Sequence, residues 1–175
     1  VEFDNKLKPK QIVIPDPIDE DPNFQQPSFR YQGRGWDHKA PYPDEDDGSF
    51  IGNPPLSFPL HESRFNDDIM DYQNYDYNTN SYIDNQMAKD LMNAAKGNPD
   101  YEVTVYRVIP KSAAKINAGD WVTVNPEHAK SLYTMLSQDK PIKGGYHIVK
   151  KKVKAKNLYG RSEENDDINS YGYWE

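Results

Sequence analysis

The 175 residues contain no cysteine, which excludes a disulfide framework and a thiolate zinc site and leaves the redox compartment open. Apolar runs long enough to cross a bilayer are also missing, and the start Val1-Glu2-Phe3-Asp4 offers neither a basic n-region nor an apolar h-region. The chain begins without an initiator Met, as expected of a processed product or a piece of a longer polypeptide. His38, His61, His128 and His147 are too dispersed for a metal motif, so no metal is expected. Asp67, Asp68 and Asp71 lack the glycine and the closing glutamate of a calcium loop, and neither a P-loop nor a dinucleotide-binding glycine fingerprint occurs. A basic excess is absent as well: the formal charge is -7. This argues against general nucleic-acid binding, which needs a basic face to neutralise phosphates.

Aromatic side chains are plentiful instead. Thirteen Tyr, six Phe and three Trp make 13% of the chain, against a mean hydropathy of -1.00. Rings bury large areas and carry a polar handle, so a tyrosine-rich core can pack despite the low hydropathy. The length suits one domain with a tail.

From Val1 to about Pro59 the chain is dense in proline and acid, as in Ile14-Pro15-Asp16-Pro17 and Asp44-Glu45-Asp46-Asp47. Such a stretch disfavours helices and central strands. The reading is an extended proline-rich arm over residues 1–35, with Phe24, Phe29, Tyr31 and Trp36 as apolar anchors. It is either a solvated linker or a strap around a protein partner or its own core. Leu60 to Asn80 favours turns, and the spacing of Ile83, Met87, Leu91 and Ala94 predicts a helix from Ser81, capped by Asn80 or Ser81 and ended at Gly97-Asn98-Pro99.

The alternating run Tyr101 to Ile109, closed by Pro110, predicts a strand with Val103, Val105 and Arg107 on one face. A turn at Asn117-Ala118-Gly119-Asp120 leads to a short strand, Trp121 to Val124, and Asn125-Pro126 opens a helix to about Leu136. After Lys143-Gly144-Gly145, the run Tyr146 to Ala155 reads as a strand with a solvated lysine face, Lys150, Lys151, Lys152, Lys154 and Lys156 meeting solvent, phosphates, acidic protein or the chain's own acidic arm. Ile168 to Tyr173 adds a last strand. The order is that of an α+β domain with a small antiparallel sheet. Arg107 then has two readings, a planar fork for phosphate with Trp121 stacking nearby, or a side chain covering a sheet edge.

Taken in order, Gly97-Asn98-Pro99-Asp100, Glu102-Val103-Thr104-Val105-Tyr106-Arg107, Ile116-Asn117-Ala118-Gly119-Asp120-Trp121-Val122-Thr123 and Val153-Lys154-Ala155-Lys156-Asn157-Leu158-Tyr159 form a series. With Asp37-His38-Lys39-Ala40-Pro41 upstream, the series resembles the ADP-ribosyltransferase-like domain of large polyvalent proteins from phages and mobile elements. The resemblance covers about Trp36 to Tyr173, so the expected domain is 36–175. It implies a split antiparallel sheet with a few helices, NAD bound in a cleft as substrate, and ADP-ribose transfer or NAD hydrolysis. It also implies a place in the host cytoplasm or the phage virion.

By the same resemblance Arg107 contacts the dinucleotide, Trp121 to Thr123 line the nicotinamide side, and His128-Ala129 matches an aromatic-alanine pair in which the His departs from the usual Tyr. That departure favours a surface or helix-packing His128. The family's last segment ends like Ser-Ile-x-Glu-Trp-Gly-Tyr. Here Asp167-Ile168-Asn169-Ser170-Tyr171-Gly172-Tyr173 stands in that register, with Ser170 at the catalytic glutamate. Losing nicotinamide leaves an oxocarbenium-like ribose that an anion stabilises, and deleting such a partner costs roughly a hundredfold to a thousandfold in rate. Glu163, Glu164, Asp166, Asp167 and Glu175 are the nearby acids, none well spaced to replace it. The expectation is an NAD-binding but catalytically degenerate, pseudoenzyme copy; its rival is a non-catalytic structural or virion-associated module that binds a protein partner through the N-terminal arm.

Overall fold

The computed structural model describes residues 12–25, 39–40, 42–43, 58–62, 74–76, 81–160 and 168–175, of which 74–76 and 81–83 are described by backbone alone. Strands β1 (Ile18–Asp19), β2 (Phe58–Pro59), β5 (Glu102–Pro110), β6 (Trp121–Thr123), β7 (Tyr146–Lys154), β8 (Leu158–Gly160) and β9 (Ser170–Tyr173) form a seven-stranded sheet in the order β1-β7-β5-β6-β9-β8-β2. Its pairs are antiparallel except β1 with β7, which is parallel. Strands β3 (Asn74–Asp76) and β4 (Ser81–Ile83) pair separately. Helices α1 (Gln86–Ala95) and α2 (Pro126–Asp139) complete an α+β fold.

The longest pairing joins β5 and β7 over nine residue pairs, Glu102↔Lys154 to Pro110↔Tyr146. Alternation along β5 sends Val103, Val105 and Ile109 into one core, shared with Ala88, Met92 and Ala95 of α1 and with Ile116, Val122, Leu158, Tyr171 and Tyr173. Val108 goes the other way, to meet Ala129, Leu132 and Leu136 of α2 with Ile148 and Tyr146. Each face of the sheet is thus covered by one helix.

Helix α2 begins as its sequence demands: the Asn125 side chain accepts the Glu127 N–H at 3.0 Å, and Pro126 occupies the first turn, where its missing N–H costs nothing. Helix α1 departs from expectation. It starts at Gln86, not Ser81, because Ser81–Ile83 is taken up by the β3–β4 pairing. Its buried stripe is Ala88, Met92 and Ala95, while Met87 is 49% exposed. Asn85, in place of Asn80 or Ser81, stands at its N-cap without a capping bond, since its Oδ1 accepts from Asn169. Its end agrees with the sequence, Gly97 taking φ +73°.

The described part of the proline-rich arm lies on the domain. Ile18 and Asp19 pair with Val149 and Lys150, and the Asp21 N–H donates to the Ala114 carbonyl at 2.7 Å. Glu20 reaches Lys151 at 3.1 Å and accepts the Ile116 N–H at 3.2 Å, while Phe24 packs on the α1-side core. The other anchors Phe29, Tyr31 and Trp36, and the acidic run Asp44 to Asp47, lie outside the described residues, as does the expected boundary at 35/36.

The lysine row is not a uniformly solvated face. Lys152 and Lys154 are exposed, yet Lys151 turns to the α1 side, its amine 4.9 Å from the Tyr173 ring centre. Acids of the same chain answer the row: Asp19 at Lys150, Glu20 at Lys151, Glu102 at Lys152, and Asp100 at Lys154 and Lys156.

Candidate functional site

Strands β5, β6 and β9 stand side by side and carry the residues singled out in the sequence. Tyr106 pairs with Thr123 and Lys150, and Thr123 pairs with Ser170, so Lys150, Tyr106, Thr123 and Ser170 form one row across the sheet. Directly paired residues of a sheet share a face. This row therefore lies on the α2 side, with Val108. Arg107 pairs with Val149, and Val122 with Tyr171, which puts Arg107 on the α1 side. The register brings Thr123 and Ser170 together and sends Arg107 to the opposite face.

On the α2 side the row joins a buried polar network. His128, 1% exposed, brings Nδ1 to 3.1 Å from the Thr123 hydroxyl, which also accepts the Asn125 N–H at 3.2 Å. Of the two placements expected for His128, surface or helix packing, the structure shows the packed one, since the first turn of α2 lies directly on β6. The Asn125 amide donates to the Asp84 carbonyl at 3.1 Å and to Asn169 Oδ1 at 3.2 Å, and Asn169 donates to Asn85 at 3.0 Å. These amides tie the starts of both helices to β9. Ser170 is buried beside them, and its Oγ meets no hydrogen-bond partner among the described residues. A buried hydroxyl without a partner weakens the fold, which marks Ser170 as the loose point of the network.

On the α1 side Arg107 is buried and held. Its Nη1 donates to the Trp121 carbonyl at 2.5 Å, and its Nε lies 3.8 Å from the Asp120 carboxylate. Asp120 in turn accepts the Asn117 N–H at 2.8 Å, so the turn before β6 is stitched to the guanidinium. Arg107 covers no sheet edge, since β5 lies between β7 and β6; it is an internal clamp that fastens a turn. Asp120 was singled out only as part of a phrase; an acid beside a tight turn that faces a strand arginine was the available signal.

Trp121 is also enclosed. It packs with Ala40, Tyr159 and Trp174, and its strand neighbour is Gly172, where the absent side chain leaves room for the rings. Trp174 is met edge-on by Tyr42 at 5.1 Å and covered by the Lys39 amine at 4.7 Å. Lys39 and Ala40, from the phrase Asp37 to Pro41, therefore shield this corner, with the Ala40 N–H donating to Gly119. His38 and Pro41 lie outside the described residues.

Of the acids weighed as substitutes for the family glutamate, Glu163, Glu164, Asp166 and Asp167 lie outside the described residues. Glu175 accepts the Tyr173 hydroxyl and lies 3.9 Å from Lys151, both of the Arg107 face, so it does not approach Ser170. Burial, reinforced by the Glu175 contact, pushes the Tyr173 phenol well above its ordinary range. Burial raises Tyr106 as well. Among the described residues no group of three or more His, Cys, Asp or Glu is arranged to hold a metal ion, and no helix is long and apolar enough to cross a membrane.

A cavity of about 260 Å³ opens elsewhere on the α2 side, between β5 and the second half of α2. Arg107 is its one residue in common with the expected site.

No protein-family model, no curated protein and no solved structure matches the chain.

Proposed function

We propose that this chain is an ADP-ribosyltransferase-like scaffold that works through protein contacts and transfers no ADP-ribose. The observation that carries this reading is the parity of neighbouring strands. Arg107, which the resemblance assigns to the dinucleotide, lies on the opposite face from Ser170, and its guanidinium is engaged by Asp120 and the Trp121 carbonyl. A cleft that grips pyrophosphate and stabilises a ribose cation needs both groups on one side. Ser170 supplies no charge, and a rate loss of about a hundredfold to a thousandfold follows from that substitution alone. The proline-rich arm, docked on its own domain at Ile18 to Asp21 with Val13 and Ile18 left exposed, is the segment proposed to meet a protein partner, whether in a virion or in a host cell.

One observation favours the rival reading, NAD binding. The phrases ending at Arg107, Thr123 and Ser170 occupy adjacent strands, as a shared cleft would require.

Calorimetric titration with NAD separates the two readings, run on the original chain, Arg107→Ala, Thr123→Val and Ser170→Glu, with nicotinamide release followed in the same samples. The expected result is no saturable heat and no nicotinamide from any of them. Saturable binding by the original chain, weakened by Thr123→Val in a folded protein, overturns the proposal and restores the NAD cleft. Nicotinamide release by Ser170→Glu alone would mean that one residue separates this scaffold from an enzyme.

A further inference from the structure

The seven-stranded sheet is antiparallel except at one edge, where β1 lies parallel to β7. Strand β1 comes from the arm and adds itself to a side of β7 that the other described strands leave open, the way an extended peptide joins a sheet by strand addition. The seat reads residues 18–24. Ile18 and Asp19 pair with Val149 and Lys150, the Glu20 N–H donates to the Lys150 carbonyl at 3.0 Å, and the Asp21 N–H donates to Ala114 at 2.7 Å. One Glu20 oxygen meets the Lys151 amine at 3.1 Å and the other accepts the Ile116 N–H at 3.2 Å, with the two side chains only 17% (Lys151) and 14% (Glu20) exposed. After a turn in which the Phe24 N–H donates to Asp21, Phe24 packs on the α1-side core. Backbone pairing, one nearly enclosed carboxylate and one aromatic anchor together specify an extended acidic segment.

Charge agrees with this geometry. Residues 12–25 hold Asp16, Asp19, Glu20 and Asp21 and no basic residue, and they meet Lys150 and Lys151 on the seat. None of these contacts depends on which chain supplies the segment. The chain is next fastened at another corner, where the Ala40 N–H donates to Gly119. The intervening residues 26–38 span at most about 45 Å when extended, comparable to the width of a domain of this size. Val13, Ile14 and Ile18 stay exposed on the docked arm, although large exposed hydrophobics are few among the described residues. A strap that served its own chain alone would gain nothing from this cluster, whereas a second body beside the arm would cover it.

We infer that the β7 edge is a docking seat for the arm of a second copy, so that two chains exchange arms and each seats residues 18–24 of the other. The inference rests on the reading of the arm as the segment that meets a protein partner, and it names that partner. In dilute solution the tether favours the chain's own seat, so exchange grows with concentration.

The chain has no cysteine, so Val13→Cys, an exposed position outside the seat, takes a single spin label. Labelled chains are mixed with isotope-enriched original chains, unfolded together and refolded at millimolar concentration, and the amides of the enriched chains are followed by NMR. Only a label carried by another chain can broaden them. Loss of the Val149 and Lys150 signals is expected, growing with concentration. Charge reversal gives an independent reading: Glu20→Lys and Lys151→Glu each put like charges in their own seat, whereas the two mixed form the original pair in one seat and the reversed pair in the other. The mixture is expected to sediment at twice the 20.2 kDa of one chain, and each folded variant alone at that single mass. Unchanged amides, broadening spread evenly over the surface, or a mixture of folded variants that stays at 20.2 kDa would each overturn the exchange. Such a failure leaves the scaffold reading standing, since that reading falls on NAD binding and not on the arm.

Discussion

The two faces of β5, β6 and β9 handle polar groups in opposite ways. On the α1 side charged groups are paired: buried Arg107 with Asp120, and partly buried Lys151 with Glu20. On the α2 side they are neutral and linked by hydrogen bonds, from His128 and Thr123 through Asn125 and Asn169 to Asn85. Buried charges must be matched closely or they destabilise the fold, whereas a neutral network tolerates one slack member, here Ser170. The charged face is therefore structural, and the neutral face is where a residue can change identity at little cost.

The sharpest way to break this contrast is Arg107→Ala. It leaves the Asp120 carboxylate and the Trp121 carbonyl without their cation, and removing one member of a buried pair costs about 3–5 kcal/mol. Because Asp120 keeps some solvent access, a loss near about 3 kcal/mol in urea unfolding is expected. A loss under about 0.5 kcal/mol, the range of ordinary surface substitutions, would return Arg107 to the pool of ligand-binding residues.

Glu20→Ala tests the same face from the arm. Glu20 holds Lys151 and the Ile116 N–H at once, and hydrogen bonds to charged groups contribute about 1.5–3 kcal/mol. A destabilisation of about 2 kcal/mol is expected, together with faster proteolysis within residues 12–25 than in the original chain. If the original chain is cut there as fast as the variant, the arm is not docked in solution.

On the neutral face two substitutions should differ although both remove a hydroxyl. Thr123→Val keeps the shape but strands the Asn125 N–H and a His128 nitrogen, at a cost of about 1–3 kcal/mol. Ser170→Ala removes a hydroxyl that has no partner among the described residues, so stability should stay within about 0.5 kcal/mol or rise. A loss above about 1 kcal/mol for Ser170→Ala would reveal a bond this hydroxyl makes and weaken the view of Ser170 as replaceable.

What the sequence revealed and what it concealed divide along the same lines. Alternation from Tyr101 to Pro110 gave β5 and the common face of Val103, Val105 and Arg107, because a period of two is written into a nine-residue strand. Asn125-Pro126 likewise announced α2 through chemistry local to its cap. The relation of Arg107 to Ser170 was not legible, since the registers of the short β6 and β9 are set by pairing with distant neighbours. Helix α1 was misplaced at its start for a different reason: β3, four residues upstream in a polar stretch that reads as turns, claims Ser81 to Ile83 by local pairing. The two-residue β1 has too little pattern to be seen, and its contact with β7 rests on backbone bonds and the acids Asp19 and Glu20.

The smallest effect lies where the neutral face runs out into solvent. Asp100 is exposed, and its contacts with Lys154, at 3.4 Å, and Lys156, at 3.6 Å, hold its carboxyl below the ordinary 3.8. A carboxylate whose pKa is depressed by folding adds stability that is present above the unfolded value and lost as pH falls through the folded one. Asp100→Asn should therefore be slightly less stable than the original chain at neutral pH, with the two converging as pH drops below about 3.8. Added salt should shrink the neutral-pH difference, because exposed pairs are screened within a Debye length of about 8 Å at physiological ionic strength. Thermal unfolding of both chains across pH at low and high salt reads this directly. A difference that persisted in acid and in salt would mean that Asp100 acts through the turn before β5 and not through its charge. Lys154 and Lys156 would then be open to a partner's acids, while Lys150, Lys151 and Lys152 keep their own.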